Sequence, residues 1–142
     1  MTEEYDLQRF LSAQGDDLGA VVQELKYGQK SGHWMWYVFP QVKGLGRSST
    51  SEHFAIQNEG EARAYLLHPV LGERLIECTE IVNQHRDITA ERIFGYPDYL
   101  KFRSSMTLFE RVAGENSPFS RALEQFYGGE RDALTLSILK SM

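Results

Sequence analysis

Cysteine, basic excess, long apolar runs and alternating strand patterns are all scarce in this sequence, and each scarcity removes a class of protein. Cys78 is the single cysteine, so no internal disulfide can form, and one cysteine with four scattered histidines gives no structural-zinc spacing. That favours a reducing compartment. Fifteen Lys and Arg against twenty Asp and Glu leave a formal charge of −5, which argues against a protein that coats nucleic acid, because that work needs a basic footprint. No apolar run approaches the roughly 20 residues that span a bilayer. The start Met1-Thr2-Glu3-Glu4 is acidic where a signal peptide is basic, so the expectation is cytoplasmic, with no membrane partner. No cofactor and no metal are implied.

What is present is a helical rhythm. With 142 residues, 42% of them apolar and 25% charged, the chain has the size and composition of one folding unit with its own core. The expected fold is mainly α: a single compact orthogonal multi-helix domain over 1–142, with one irregular aromatic and glycine-rich segment at about 30–52 and little or no β-structure. A first short helix over 4–13 carries Leu7, Phe10 and Leu11, and a second carries Leu18, Val21, Val22 and Leu25 after Asp16 or Asp17 as cap, up to Gly28. The two are expected to form a helical hairpin. Asn58 and Glu61 have capping-box spacing for a helix bearing Ala64, Tyr65 and Leu67, which ends near His68 before Pro69. Leu71, Leu75, Cys78 and Val82 then mark the expected longest helix, to about His85.

A helical turn after Thr89 reaches Phe94, and Tyr99, Phe102, Met106, Phe109 and Val112 mark an amphipathic helix up to Gly114. Ser117-Pro118 reads as cap and first position of a helix with Phe119, Ala122, Leu123 and Phe126, closed by Gly128-Gly129. A last helix from Asp132 faces Leu134, Ile138 and Leu139 inward. Only Trp36 to Val42 suggests a short extended piece.

The segment from Lys30 to Gln41 breaks the rhythm by packing Trp34, Trp36, Tyr37, Phe39 and His33 together with no simple period. Two readings fit. The aromatics anchor the core, or some of them form one wall of a pocket with Lys30, His33 and Gln41 as polar contacts. Lys30-Ser31 lacks the glycine that a phosphate-binding P-loop places before its lysine, since Gln29 stands there, and Gly44-Leu45-Gly46 lacks the third glycine of a dinucleotide fingerprint. Neither motif is accepted. The glycine turn nevertheless leads through Arg47, Ser48 and Ser49 into a helix start, the chemistry of an anion site, although Ser49 to Glu52 also reads simply as a capping box. Glu52 and His53 are the adjacent acid and base of this segment. Lys101 and Ser105 share a face at i and i+4, with Ser104 beside them, either as a solvated face or as the other side of the same pocket. His68 and His85 read as structural groups at helix ends.

These stretches carry a resemblance: Lys30-Ser31-Gly32-His33-Trp34-Met35-Trp36 with Phe39-Pro40-Gln41, Gly44-Leu45-Gly46 with Ser48 and Ser51, and Ala64-Tyr65-Leu66 with His68-Pro69-Val70-Leu71-Gly72. Phe94-Gly95 with Asp98, and Lys101-Phe102 with Ser104-Ser105-Met106-Thr107-Leu108-Phe109, complete it. Over nearly its whole length the chain resembles the uncharacterised family called domain of unknown function 1810, which implies a mainly helical fold and no assigned activity. It is more distantly similar to the NAD- and ADP-ribose-associated family through Glu52-His53 and Lys101-Phe102 in the same order, with Gln57 displaced from that family's usual spacing.

Two functions follow. The first is a protein that binds or hydrolyses a small phosphate-bearing nucleotide or ADP-ribose-type ligand: Arg47 holds the anion, Trp34 or Trp36 packs on a ring, and Glu52 is the acid or base of an N-glycosidic hydrolysis. The second is a non-catalytic helical interaction module. Convergence of Lys30, His33, Arg47, Glu52, Lys101 and Ser105 on one concavity would separate them.

Overall fold

The computed structural model describes residues 5–142, so the acidic start and the first residue of the expected opening helix lie outside the described residues. The described chain is all-helical: α1 (Gln8–Gln14), α2 (Leu18–Tyr27), α3 (Met35–Val38), α4 (Ser49–Phe54), α5 (Glu59–Leu67), α6 (Leu71–Asn83), α7 (Ala90–Phe94), α8 (Asp98–Ala113), α9 (Pro118–Tyr127) and α10 (Ala133–Lys140). A lone parallel bridge joins Val42 to Ile56, and there is no strand among the described residues.

The caps explain most helix starts. Asn58, Thr89, Ser117 and Asp132 each accept from the amide three residues on, which satisfies a first-turn donor that has no partner inside the helix. Asp17 occupies the cap position of α2 without capping it; its carboxylate accepts instead from the Tyr37 hydroxyl at 2.6 Å. At α4 the cap is Ser48, one residue before the expected Ser49, and Ser48 Oγ accepts from Ser51 N at 3.1 Å. The Asn58 box is half made, because Glu61 turns away from Asn58 to take the Gln57 amide and Arg9. His68 Nδ1 accepts from the Val70 and Leu71 amides, and His85 Nε2 meets Leu25 O at 2.6 Å, so both histidines serve the frame.

Packing departs from the sequence reading in several places. The hairpin does not form: α1 lies against α3 and α2 against α6. At 16 residues α8 is longer than α6 at 13, and it is the axis of the fold, touching α3, α5, α7, α9 and α10. Leu67 and Leu134 face solvent instead of the core, because each lies off its helix's buried stripe. Trp36 to Val38 are helical, not extended, and Val42 alone contributes to the bridge.

One apolar cluster runs through all of these helices except α4, whose Phe54 packs on its edge. Phe39 meets both Phe94 and Phe102 edge-on, at 5.9 and 4.9 Å, so the irregular segment is anchored against α7 and α8. Gly72 allows α6 to start directly on the end of α5: a Cβ there would stand 1.9 Å from Leu66 O. Arg9 staples α1 to the α4–α5 connection. Its guanidinium donates to the carbonyls of Asp6, His53 and Ala55 and to both oxygens of buried Glu61, which uses all five of its N–H groups.

Candidate functional site

The irregular segment begins where Gly28 ends α2 in a left-handed conformation (φ 85°), which turns the chain back along the helix it has just left. The amides of Ser31 and Gly32 and the Trp34 indole N–H then converge on one oxygen of Glu24, at 2.7, 3.0 and 2.9 Å. Burial alone would raise the Glu24 pKa; the three donors outweigh it and hold the carboxyl below its ordinary value. Lys30 N donates to Ile93 O at 2.7 Å, fixing the loop to α7.

From this loop Lys30 reaches the start of α8. Its ammonium stands 2.7 Å from Asp98 Oδ2, donates to Gly32 O at 2.5 Å and lies 5.2 Å from the Trp34 ring centre. Lys101, one turn along α8, stands 3.3 Å from Asp98 Oδ1 and 5.2 Å from the Trp36 ring centre. Two tryptophan–lysine pairs thus share one carboxylate, and Glu24, bound to Gly32 and the Trp34 indole, brings a second carboxylate to the same cluster. Cation–ring contact of this kind is favourable where the charge is partly withdrawn from water.

Trp36 also borders the glycine turn. With Gln41, Val42, Gly46, Ser51, Phe54 and Ala55 it lines a depression of about 10 Å³, room for about one water molecule. Backbone bonds between Gln41, Lys43 and Ile56 close one side. Gly46 lies so close to α4 that a Cβ there would be 2.5 Å from Ser51 Cβ, which is why no larger residue fits. The Trp36 indole nitrogen is buried and has no hydrogen-bond partner. Buried unpartnered polar atoms are rare in folded proteins, and Asn83 Oδ1, Arg103 Nε and Ser105 Oγ share that state among the described residues.

Of the residues singled out by sequence, Lys30, Trp36 and Lys101 come together, with Gln41 across the depression and Arg47 next to Gly46 on the exposed turn. The others go elsewhere. Ser31 and Trp34 belong to the Glu24 network, and Ser48 is a helix cap. His33 and Ser49 are exposed. Glu52 and His53 are exposed and do not line the depression, although the His53 ring packs edge-on against Phe54, which does. Ser104 and Ser105 are buried, so this is not a solvated face: Ser104 bonds Leu100 O and Asp132 Oδ2, joining α10 to α8, while Ser105 Oγ is unpartnered. Asp98 and Glu24 were missed. Asp98 had a signal, since it lies one turn before Lys101, whereas nothing local pairs Glu24 with a loop seven to ten residues on.

No group of three His, Cys, Asp or Glu able to hold a metal occurs among the described residues. Cys78 is buried inside α6, where loss of water pushes its thiol up to about 12. No described helix is long and apolar enough to cross a membrane.

The described residues form an all-helical fold whose aromatic segment packs against its longest helix. The chain belongs to the family described as "Protein of unknown function (DUF1810)", whose model matches residues 4–139. It is similar to the conserved hypothetical protein Rv1873 from Mycobacterium tuberculosis, known from a crystal structure at 1.38 Å, with 48% identity over 97% of this chain and 99% of that one and a TM-score of 0.95. No curated protein matches. The likeness to the NAD- and ADP-ribose-associated family finds no support in these comparisons.

Proposed function

We propose that this chain binds a small phosphate-bearing ligand at Trp36, with Lys101 as the principal anion contact and Arg47 at the rim. The observation that supports it is the arrangement around Trp36: a lysine with its ammonium over the ring and an indole N–H with no partner. Lys101 keeps 27% of its side chain exposed, against 7% for Lys30.

The depression is far below the roughly 300–1,000 Å³ of pockets that enclose a small molecule. The phosphate therefore lies on Lys101 and the edge of Trp36, with the rest of the ligand on the surface beside the Gly44–Ser48 turn. Glu52 and His53 do not line the depression, so the proposal is binding without N-glycosidic hydrolysis.

Calorimetry with inorganic phosphate, AMP, ADP, ADP-ribose and NAD tests this. At least one should bind with a dissociation constant at or below the millimolar range, and Lys101→Ala should abolish the heat. No heat from any of them at several millimolar would sink the reading.

A further inference from the structure

We infer that the groove between the end of α2 and the loop that follows it binds a guanidinium group, the side chain of an arginine on a partner chain, with Glu24 as its counter-ion and Tyr27 as the ring it stacks on. The inference is independent of the phosphate reading above.

Gly28 turns the chain back along α2, and Gln29 N donates to Glu24 O at 3.1 Å, so the helix end and the loop become the two walls of one groove. It measures about 410 Å³, is open to solvent, and is lined by Gln23, Glu24, Tyr27, Gln29 and Ser31. That is room for one long side chain, unlike the depression at Trp36.

Of these five residues Glu24 alone is charged. Its Oε1 accepts from Ser31 N, Gly32 N and the Trp34 indole, and Oε2 accepts none of the three bonds. The bond to Ser31 is exposed to solvent, which places the carboxylate at the surface. Burial opposes its charge, but the three donors and the Ser31 hydroxyl outweigh it and keep the group ionised. Because every one of these donors is neutral, they fix the carboxylate without cancelling its charge. Tyr27 stands at i+3 from Glu24, the spacing that makes two helical side chains neighbours, and it is 75% exposed. A guanidinium suits this pair because it is planar and weakly hydrated: its face stacks on the ring while its edge donates to Oε2 and to the Gln23 and Gln29 amide oxygens.

Two lysines lie near enough to oppose a visiting cation. Lys30 pairs with Asp98 at 2.7 Å and is 7% exposed, and Lys26 does not line the groove. Glu24, Asp98, Lys30 and Lys101 together carry two charges of each sign, so the cluster exerts no net pull and recognition is confined to contact with Glu24 and Tyr27. The formal charge of −5 on the whole chain favours the approach of a basic partner.

The test titrates the whole chain at neutral pH and equal ionic strength with acetyl-arginine amide, its uncharged isostere acetyl-citrulline amide, and acetyl-lysine amide. The readout is the Trp34 indole signal, assigned with Trp34→Phe, because that N–H shares Glu24 with the ligand. Arginine should shift it saturably, with half-saturation on the order of 10 mM, citrulline should leave it in place, and lysine should need about threefold more. Tyr27→Ala, at an exposed position, should raise the arginine half-saturation about threefold. Glu24→Gln, which keeps one acceptor oxygen and loses the charge, should abolish the response. Citrulline acting as well as arginine, no shift up to about 100 mM arginine, or an unchanged half-saturation in Tyr27→Ala overturns the inference. Lysine binding as tightly as arginine overturns the choice of a guanidinium. Should Glu24→Gln not fold, the citrulline comparison and Tyr27→Ala decide, and no outcome at Trp34 bears on phosphate at Trp36.

Discussion

Trp34 and Trp36 stand two residues apart, each with a lysine ammonium 5.2 Å from its ring, and yet they do different work. Trp34 is 3% exposed, its N–H is bound to Glu24, and its lysine is enclosed. Trp36 is half-buried, its N–H is unpartnered, and its lysine reaches solvent. One pair is a finished piece of framework. The other has the same parts with its indole N–H left unpaired, and the proposed phosphate site rests on that difference. Asp98 couples the two, since the finished pair holds the carboxylate that sets the charge of the unfinished one.

The largest expected effect is on the finished side. Lys30→Ala leaves Asp98 short of its closer partner in a partly buried position and should cost roughly 3 kcal/mol of stability, measured by urea unfolding. A loss below about 0.5 kcal/mol would mean that the two pairs are not coupled through Asp98.

The tryptophans themselves come next. Trp34→Phe deprives Glu24 of a charged hydrogen bond, whereas Trp36→Phe removes a buried donor that had no partner. The first variant should be less stable than the second by about 1–3 kcal/mol in thermal or urea unfolding. Equal losses would show that the Trp36 N–H is satisfied in solution by something as good as Glu24.

Lys101→Ala should cost about 1 kcal/mol of stability, less than Lys30→Ala because its pair with Asp98 is longer and more exposed, while removing phosphate binding. A variant that binds phosphate normally would move the anion contact away from Lys101. The smallest effect is in the pH profile. Glu24 has a folded pKa below its ordinary value, so the stability it contributes is present above the unfolded value and is lost as pH falls through the folded one. Glu24→Gln should therefore lose less stability than the unaltered protein between about pH 5 and pH 3. Parallel acid limbs would remove Glu24 from the account.

Most of the frame was legible from the sequence because it is local. Apolar spacing along α6, α8 and α9 and the caps at Asn58, Thr89, Ser117 and Asp132 act over three or four residues, which is the range that pattern reading covers. The short helix α3 was not, because its aromatics face several neighbours at once and show no single period. Lys30, Trp36 and Lys101 stood out as residue types, but their partners did not. Asp98 entered only as part of the family resemblance, and Glu24 was not singled out at all. The polar residues of α8 misled in the opposite direction, since Ser104 and Thr107 bond to the residue that starts α10, a contact made across 25 to 28 positions of chain.

The most direct test of the central claim is the indole region of the proton–nitrogen spectrum, where the chain has only two signals, from Trp34 and Trp36. Trp34→Phe and Trp36→Phe assign them. Titration with a phosphate ester should move the Trp36 signal in a saturable way and leave the Trp34 signal, locked to Glu24, in place. Two signals that stay fixed at several millimolar, or a response confined to Trp34, would contradict a phosphate site at Trp36.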